Sequence, residues 1–107
     1  MHLSSIQKLI HKEIAIADFK KEIADEVKSY EKLSKQKGAT NPIFLKEDVE
    51  YLFTEDDIAA LETLIGTNKL NEYEGSYIAD AILLSSQTDL TNEPLIDRIE
   101  KLVVEEW

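Results

Sequence analysis

Cysteine is absent from this chain, and its 107 residues include only three glycines, two prolines and one tryptophan. The missing thiols exclude disulfides, thiolate zinc sites and cysteine nucleophiles, and fit a reducing compartment. With glycine only at Gly38, Gly66 and Gly75, no loop is built to cradle a phosphate. No apolar run approaches the roughly 20 residues of a membrane span. The start, Met1-His2-Leu3-Ser4-Ser5, lacks the basic and apolar regions of a secretory leader. The expectation is a soluble cytoplasmic protein.

Histidine is scarce too. His2 and His11 both lie in the first eleven residues, at a spacing that matches no metal motif, so an imidazole base would have to come from the extreme start of the chain. His11 reads as a solvated surface residue. The carboxylate pairs Asp56/Asp57 and Glu105/Glu106 point about 100° apart on a helix, and no calcium-loop or Glu-x-x-His pattern accompanies them. The acids at 55–57 read instead as partners of a helix dipole. Neither an enzyme, a cofactor nor a metal site is expected.

Cations are the other shortage, and it is uneven. Residues 1–40 hold eight lysines against six carboxylates, a net +2, whereas residues 41–107 hold four Lys/Arg against sixteen Asp/Glu, a net −12. The whole chain stands at −10. Such a field repels nucleic acid and anionic lipid, and steers a basic protein toward the C-terminal two thirds.

What is present is helical periodicity. At 43% hydrophobic and 32% charged, the chain suits one domain over 1–107 with a single core. Ile6, Leu9, Ile10 and Ile14 share a side of a first helix, opened by a cap at Ser4-Ser5. Phe19, Ile23, Val27, Tyr30 and Leu33 line a second, ended by Gly38 and Asn41-Pro42. Whether the two run on through Ala15–Asp18 stays open. Residues 42–53 fit either a helix (Leu45, Val49, Leu52, Phe53) or a strand (Val49, Tyr51, Phe53); the helix is preferred.

Thr54 followed by three acids caps a third helix with Ile58, Leu61, Leu64 and Ile65 inward and Gly66 as its stop. Asn71 with Glu74 caps the next, which carries Tyr73, Tyr77, Ile78, Ala81, Ile82 and Leu84 to about Ser85. Gly75 within it costs about 1 kcal/mol against Ala and points to a close backbone approach. A last helix opens at Thr91-Asn92 with Pro94 in its first turn, and turns Leu95, Ile96, Ile99, Leu102 and Val103 inward. The sum is an all-α, single-domain antiparallel bundle of four or five helices.

The remaining pattern is tyrosine among acids. Glu47, Asp48, Glu50 and Tyr51, then Glu72, Tyr73, Glu74 and Tyr77, set rings beside carboxylates, the composition of a surface that captures Lys and Arg. The competing reading places Tyr77, with or without Tyr73, in the core and leaves the acids as a solvated face. Asp80, about one turn from Tyr77 and Leu84, either belongs to the same set of acids or is partly buried and bonded to a hydroxyl. Trp107 either docks on the bundle or stands out as an anchor.

A short, cysteine-free, strongly acidic helical chain of this kind resembles the small bacterial immunity proteins of bacteriocin and polymorphic-toxin systems. The stretch Thr54–Leu90 carries the likeness, above all Asn71-Glu-Tyr-Glu-Gly-Ser-Tyr-Ile-Ala-Asp-Ala-Ile-Leu-Leu-Ser85. The Asp-Tyr-Tyr-Pro segment of the colicin DNase immunity proteins is absent, and no residue role is carried over. The resemblance implies an inhibitor that neutralises a cognate basic toxin, often a nuclease, by covering its basic cleft or an exosite nearby. Two other classes compete: a helical adaptor or regulatory subunit that grips a partner helix, and a DNA mimic, against which the net-positive first 40 residues count.

Overall fold

Local capping decides where most of the helices begin. The computed structural model describes residues 1–35, 43–89 and 91–103, and contains α1 (Leu3–Ile10), α2 (Ile16–Ser34), α3 (Glu55–Gly66), α4 (Glu72–Leu84) and α5 (Glu93–Glu100). Thr54 and Asn71 each close a capping box: Asp57 N–H donates to Thr54 and Thr54 N–H to Asp57, and the same exchange joins Glu74 and Asn71. Asn92 accepts from Leu95 N–H at 3.3 Å, with Pro94 in the first turn.

The ends of α1 and α3 share one device. Lys12 and Asn68 have φ of 60° and 62°, left-handed values that only a few non-glycine residues adopt. Around them run the two bonds of the Schellman motif: Lys12 N–H donates to Leu9 O and Glu13 N–H to Lys8 O, and Asn68 N–H donates to Ile65 O and Lys69 N–H to Leu64 O. Gly66 is therefore the last helical residue of α3, and Asn68 turns the chain. The same motif at Lys12 separates α1 from α2, which answers the question of their continuity. The expected stop of α2 at Gly38 to Pro42 lies outside the described residues.

Two expectations are corrected. α1 starts at Leu3, and its N-cap, His2, makes no side-chain bond, so Ser4 and Ser5 sit inside the first turn. The missing acceptors come from far along the chain, where Lys46 O accepts from Leu3 N–H and Asp48 from Ser4 N–H. Residues 43–53 form no helix; they run extended, with a single bridge from Lys46 to His2. Their backbone groups bond to distant residues instead: Lys46 N–H to Met1 O, Phe44 N–H to the Tyr77 hydroxyl and Tyr51 N–H to Gln87. A helix would surrender those bonds.

The result is an all-α bundle with one core and, among the described residues, no sheet. α4 sits centrally, packed on α2, α3 and α5, while α1 packs on α2 and α3. Its buried residues run from Glu74 without a break to Ala79, as expected of a helix enclosed on most sides. Phe19, Ile23 and Tyr30 of α2, Ile58 and Leu61 of α3, Ile78 and Ile82 of α4 and Ile99 of α5 are all buried, as their spacing predicts; Leu64, Ile65, Ile96 and Val103 pack half-buried around them. A Cβ on Gly75 would lie 2.7 Å from Ile65 Cγ1, so the close approach exists, though to a side chain and not a backbone. The Cα radius of gyration, 13.0 Å, matches the value of about 13 Å for a 100-residue domain.

Candidate functional site

The extended segment 43–53 makes the site. It crosses the start of α1 and the end of α4, and the side chains that fasten it are acids. Asp48 accepts from Ser4 N–H at 2.9 Å and from the Ser4 hydroxyl at 2.5 Å. Glu47 Oε1 accepts from the Ser85 hydroxyl at 2.6 Å and from Ser86 N–H at 3.0 Å, just past the end of α4. Gln87 donates to Val49 O at 2.9 Å and accepts from Tyr51 N–H at 2.7 Å. Between these clamps lies an open groove of about 720 Å³ lined by Glu47, Asp48, Val49, Glu50, Ser86 and Gln87.

The hydrogen bonds set the groove's charge. The Ser85 hydroxyl, with Ser86 assisting, holds Glu47 below the ordinary glutamate range against a smaller desolvation effect. The Ser4 hydroxyl and N–H do the same for Asp48. Both carboxylates stay ionised and held in place while remaining exposed. Glu50 is exposed and, among the described residues, has no hydrogen bond or ion pair. Three negative charges thus face one opening, two of them in fixed positions.

Tyr51 anchors the far end of the segment. Its hydroxyl donates to Asp57 at 2.6 Å and lies 2.9 Å from His11 Nε2, while its ring meets Phe53 edge-on at 5.0 Å. Burial first, and the Asp57 carboxylate second, push the phenol's pKa up, so it stays protonated. His11 is exposed, as expected of a solvated residue, and is also engaged, 3.4 Å from Asp57.

The second half of the expected contact set lies elsewhere. Glu72 and Tyr73 stand at the start of α4, a helix of 13 residues that spans about 18 Å, whereas the groove adjoins its end. Glu72 is exposed; Tyr73 is half-buried, with Lys35 Nζ 5.5 Å from its ring centroid. Glu74 is buried in its capping box, 3.4 Å from Lys20 Nζ. Tyr77 is fully buried: its hydroxyl donates to Glu26 at 2.8 Å, beside the Met1 ammonium that binds the same oxygen at 2.7 Å. The core reading of Tyr77 is the one the structure shows. Asp80 is half-buried and accepts from the Tyr30 hydroxyl at 2.6 Å, as its place on the helix suggested.

Sequence reasoning missed the donors Ser4, Ser85, Ser86 and Gln87. The polar run Ser85-Ser86-Gln87 after an apolar helix is visible in the sequence, but its pairing with residues 47–51 is a tertiary fact. It also missed three large apolar side chains in the open, Phe44, Leu52 and Leu84, each more than half exposed. Trp107 lies outside the described residues. Among the described residues no group of three or more acids and histidines is placed to hold a metal, and no helix is long and apolar enough to cross a membrane.

No protein-family model, curated protein or solved structure matches this chain.

Proposed function

We propose that the chain is an immunity-type inhibitor that captures a basic toxin domain, a nuclease being the leading class, through the groove at Glu47, Asp48 and Glu50. One observation carries the reading: two carboxylates fixed by serine donors and a third with no partner among the described residues line a single opening, in a chain of net charge −10. Exposed acids arranged in advance give fast encounter and orientation to a cationic surface without the cost of ordering them on contact. Glu72, with Tyr73 beside it, remains in the proposal as a separate contact at the opposite end of α4. Glu74 and Tyr77 support these surfaces from within.

The test is capture of a basic protein from the source cell at low salt, followed by association kinetics. Glu50→Lys, which breaks no bond among the described residues, should slow association by about three- to tenfold at low ionic strength, as reversal of an interface charge does. Lys28→Glu, on an exposed face of α2, should leave it within about twofold. An affinity indifferent to Glu50→Lys and to salt between about 50 and about 500 mM would remove electrostatic capture, since screening shortens from about 10 Å at 0.1 M to about 3 Å at 1 M. The adaptor reading would then lead, with the exposed Phe44, Leu52 and Leu84 as its anchors.

A further inference from the structure

A second groove opens at the other end of α1. Its walls are the C-terminal parts of α1 and α3, and it encloses about 300 Å³, the lower end of the range for small-molecule sites of about 300–1,000 Å³. Leu9, Ile10, Ala60 and Leu64 supply the apolar part of the lining, and Lys12 and Lys69 belong to it too. Each lysine is placed by a Schellman turn, Lys12 in the left-handed position after α1 and Lys69 directly after Asn68, so their positions are fixed by helix ends that meet here.

Charge marks this groove off from the rest of the molecule. Residues 41–107 contain only four Lys/Arg against sixteen acids, and Lys69 is one of the four. Among the described residues neither Lys12 nor Lys69 joins an ion pair, a condition they share with Lys8, Lys21, Lys28, Lys32, Lys46 and Lys101; what sets these two apart is that they line one groove. The last-turn carbonyls that such cations often serve are already bonded by the two Schellman turns. Thr63 and Thr67 also line the groove, but both hydroxyls donate to carbonyls of the preceding turn, at 3.0 and 2.8 Å. Their oxygens offer acceptors only. An anion entering here would therefore be met by the two ammonium groups and by no other side-chain donor of the lining.

We propose that this groove binds a small amphipathic monocarboxylate, a medium-length aliphatic acid, with its tail on the Leu9/Ile10/Leu64 lining and its carboxylate between Lys12 and Lys69. Two cations and four apolar side chains in one lining, with both threonine hydroxyls already donating to carbonyls, match one headgroup and one short tail. A polyanion would leave the lining unused, and a partner helix does not fit the volume. The site is independent of the acidic groove, since it involves none of the residues that line it.

Titration of the isotope-labelled full chain with sodium octanoate, below the concentration at which it self-associates, tests the proposal by chemical-shift mapping. Saturable shifts are expected at Leu9, Ile10, Ala60 and Leu64. Octylammonium, with the same tail and opposite charge, should bind at least about tenfold more weakly, and Lys12→Gln and Lys69→Gln should each weaken octanoate about two- to fivefold, the range of an exposed ion pair. The Lys→Arg variants, which keep the charge, should bind as the parent does. Equal binding of octylammonium, shifts that saturate elsewhere, or no saturation would overturn it.

Discussion

Burial of Asp80 raises its carboxyl pKa, and the bond from the Tyr30 hydroxyl, which favours the charged form, only partly opposes that. A raised value means that the folded chain holds this proton more tightly than the unfolded chain does. Stability from this residue is then present in acid and is lost as pH rises from the ordinary aspartate value of 3.8 to the higher folded one. Asp80→Asn keeps an acceptor for Tyr30 and removes the charge. It should raise the denaturant midpoint at pH 7, with the advantage vanishing below the ordinary aspartate range; a midpoint that falls at pH 7 would show that the ionised form is the one the fold prefers. Gly75 makes a second test at this scale. An added methyl would collide with Ile65, so Gly75→Ala should destabilise by about 1–3 kcal/mol despite its better helix propensity. In an Ile65→Ala background the same change should become neutral or stabilising by up to about 1 kcal/mol. Additive effects in that cycle would mean the two sites do not touch.

Elements whose ends are set locally were legible in the sequence, and those set from a distance were not. α3 and α4 carry both halves of a capping box within four residues, so Thr54, Asn71 and their acids announce the starts. α1 takes its cap from Asp48, 44 positions past Ser4, and the two serines near its start are a false signal. Residues 42–53 show apolar spacing compatible with a helix, yet Leu52 turns outward and the backbone bonds of this segment lie on other elements. The candidate site divides along the same line. Its acids were visible as composition; that Glu47, Asp48 and Glu50 share a groove while Glu74 and Tyr77 lie inside depends on where the extended segment crosses the bundle. That dependence is testable at this scale. Because Ser4 lowers the Asp48 pKa, its contribution is present above the ordinary aspartate range and is lost as pH falls through the lower folded value. Asp48→Ala should therefore speed amide exchange in the first turn of α1 at neutral pH and leave the middle of α4 unchanged, and acid should have the same local effect on the parent. Uniform acceleration across both helices would show that the clamp belongs to global stability instead.

For the whole molecule, the charge of −10 gives folding and partner capture opposite responses to salt. Fourteen of the sixteen acids beyond residue 40 lie among the described residues of a bundle with a radius of gyration of 13.0 Å, and their mutual repulsion falls when the folded chain opens out. Screening weakens that repulsion. Among the described residues the ion pairs between side chains that salt also weakens are superficial: Lys35 with Glu31, Arg98 with Glu62 and Lys20 with Glu74 each leave the cation more than one third exposed, while the buried pair of the Met1 ammonium with Glu26 is screened less. Superficial pairs contribute about 0–1 kcal/mol, so repulsion should dominate the balance. Thermal denaturation in sodium chloride from about 50 to about 500 mM should accordingly show a rising midpoint, by a few degrees for about 1 kcal/mol in a domain of this size. Lys21→Glu, exposed and without an ion pair among the described residues, should steepen that rise by adding to the negative field. Association with a basic partner should slow over the same salt range. A midpoint that falls with salt would mean that attraction between near neighbours outweighs the overall field, and a field too weak to strain its own fold would be a poor basis for long-range capture of a partner.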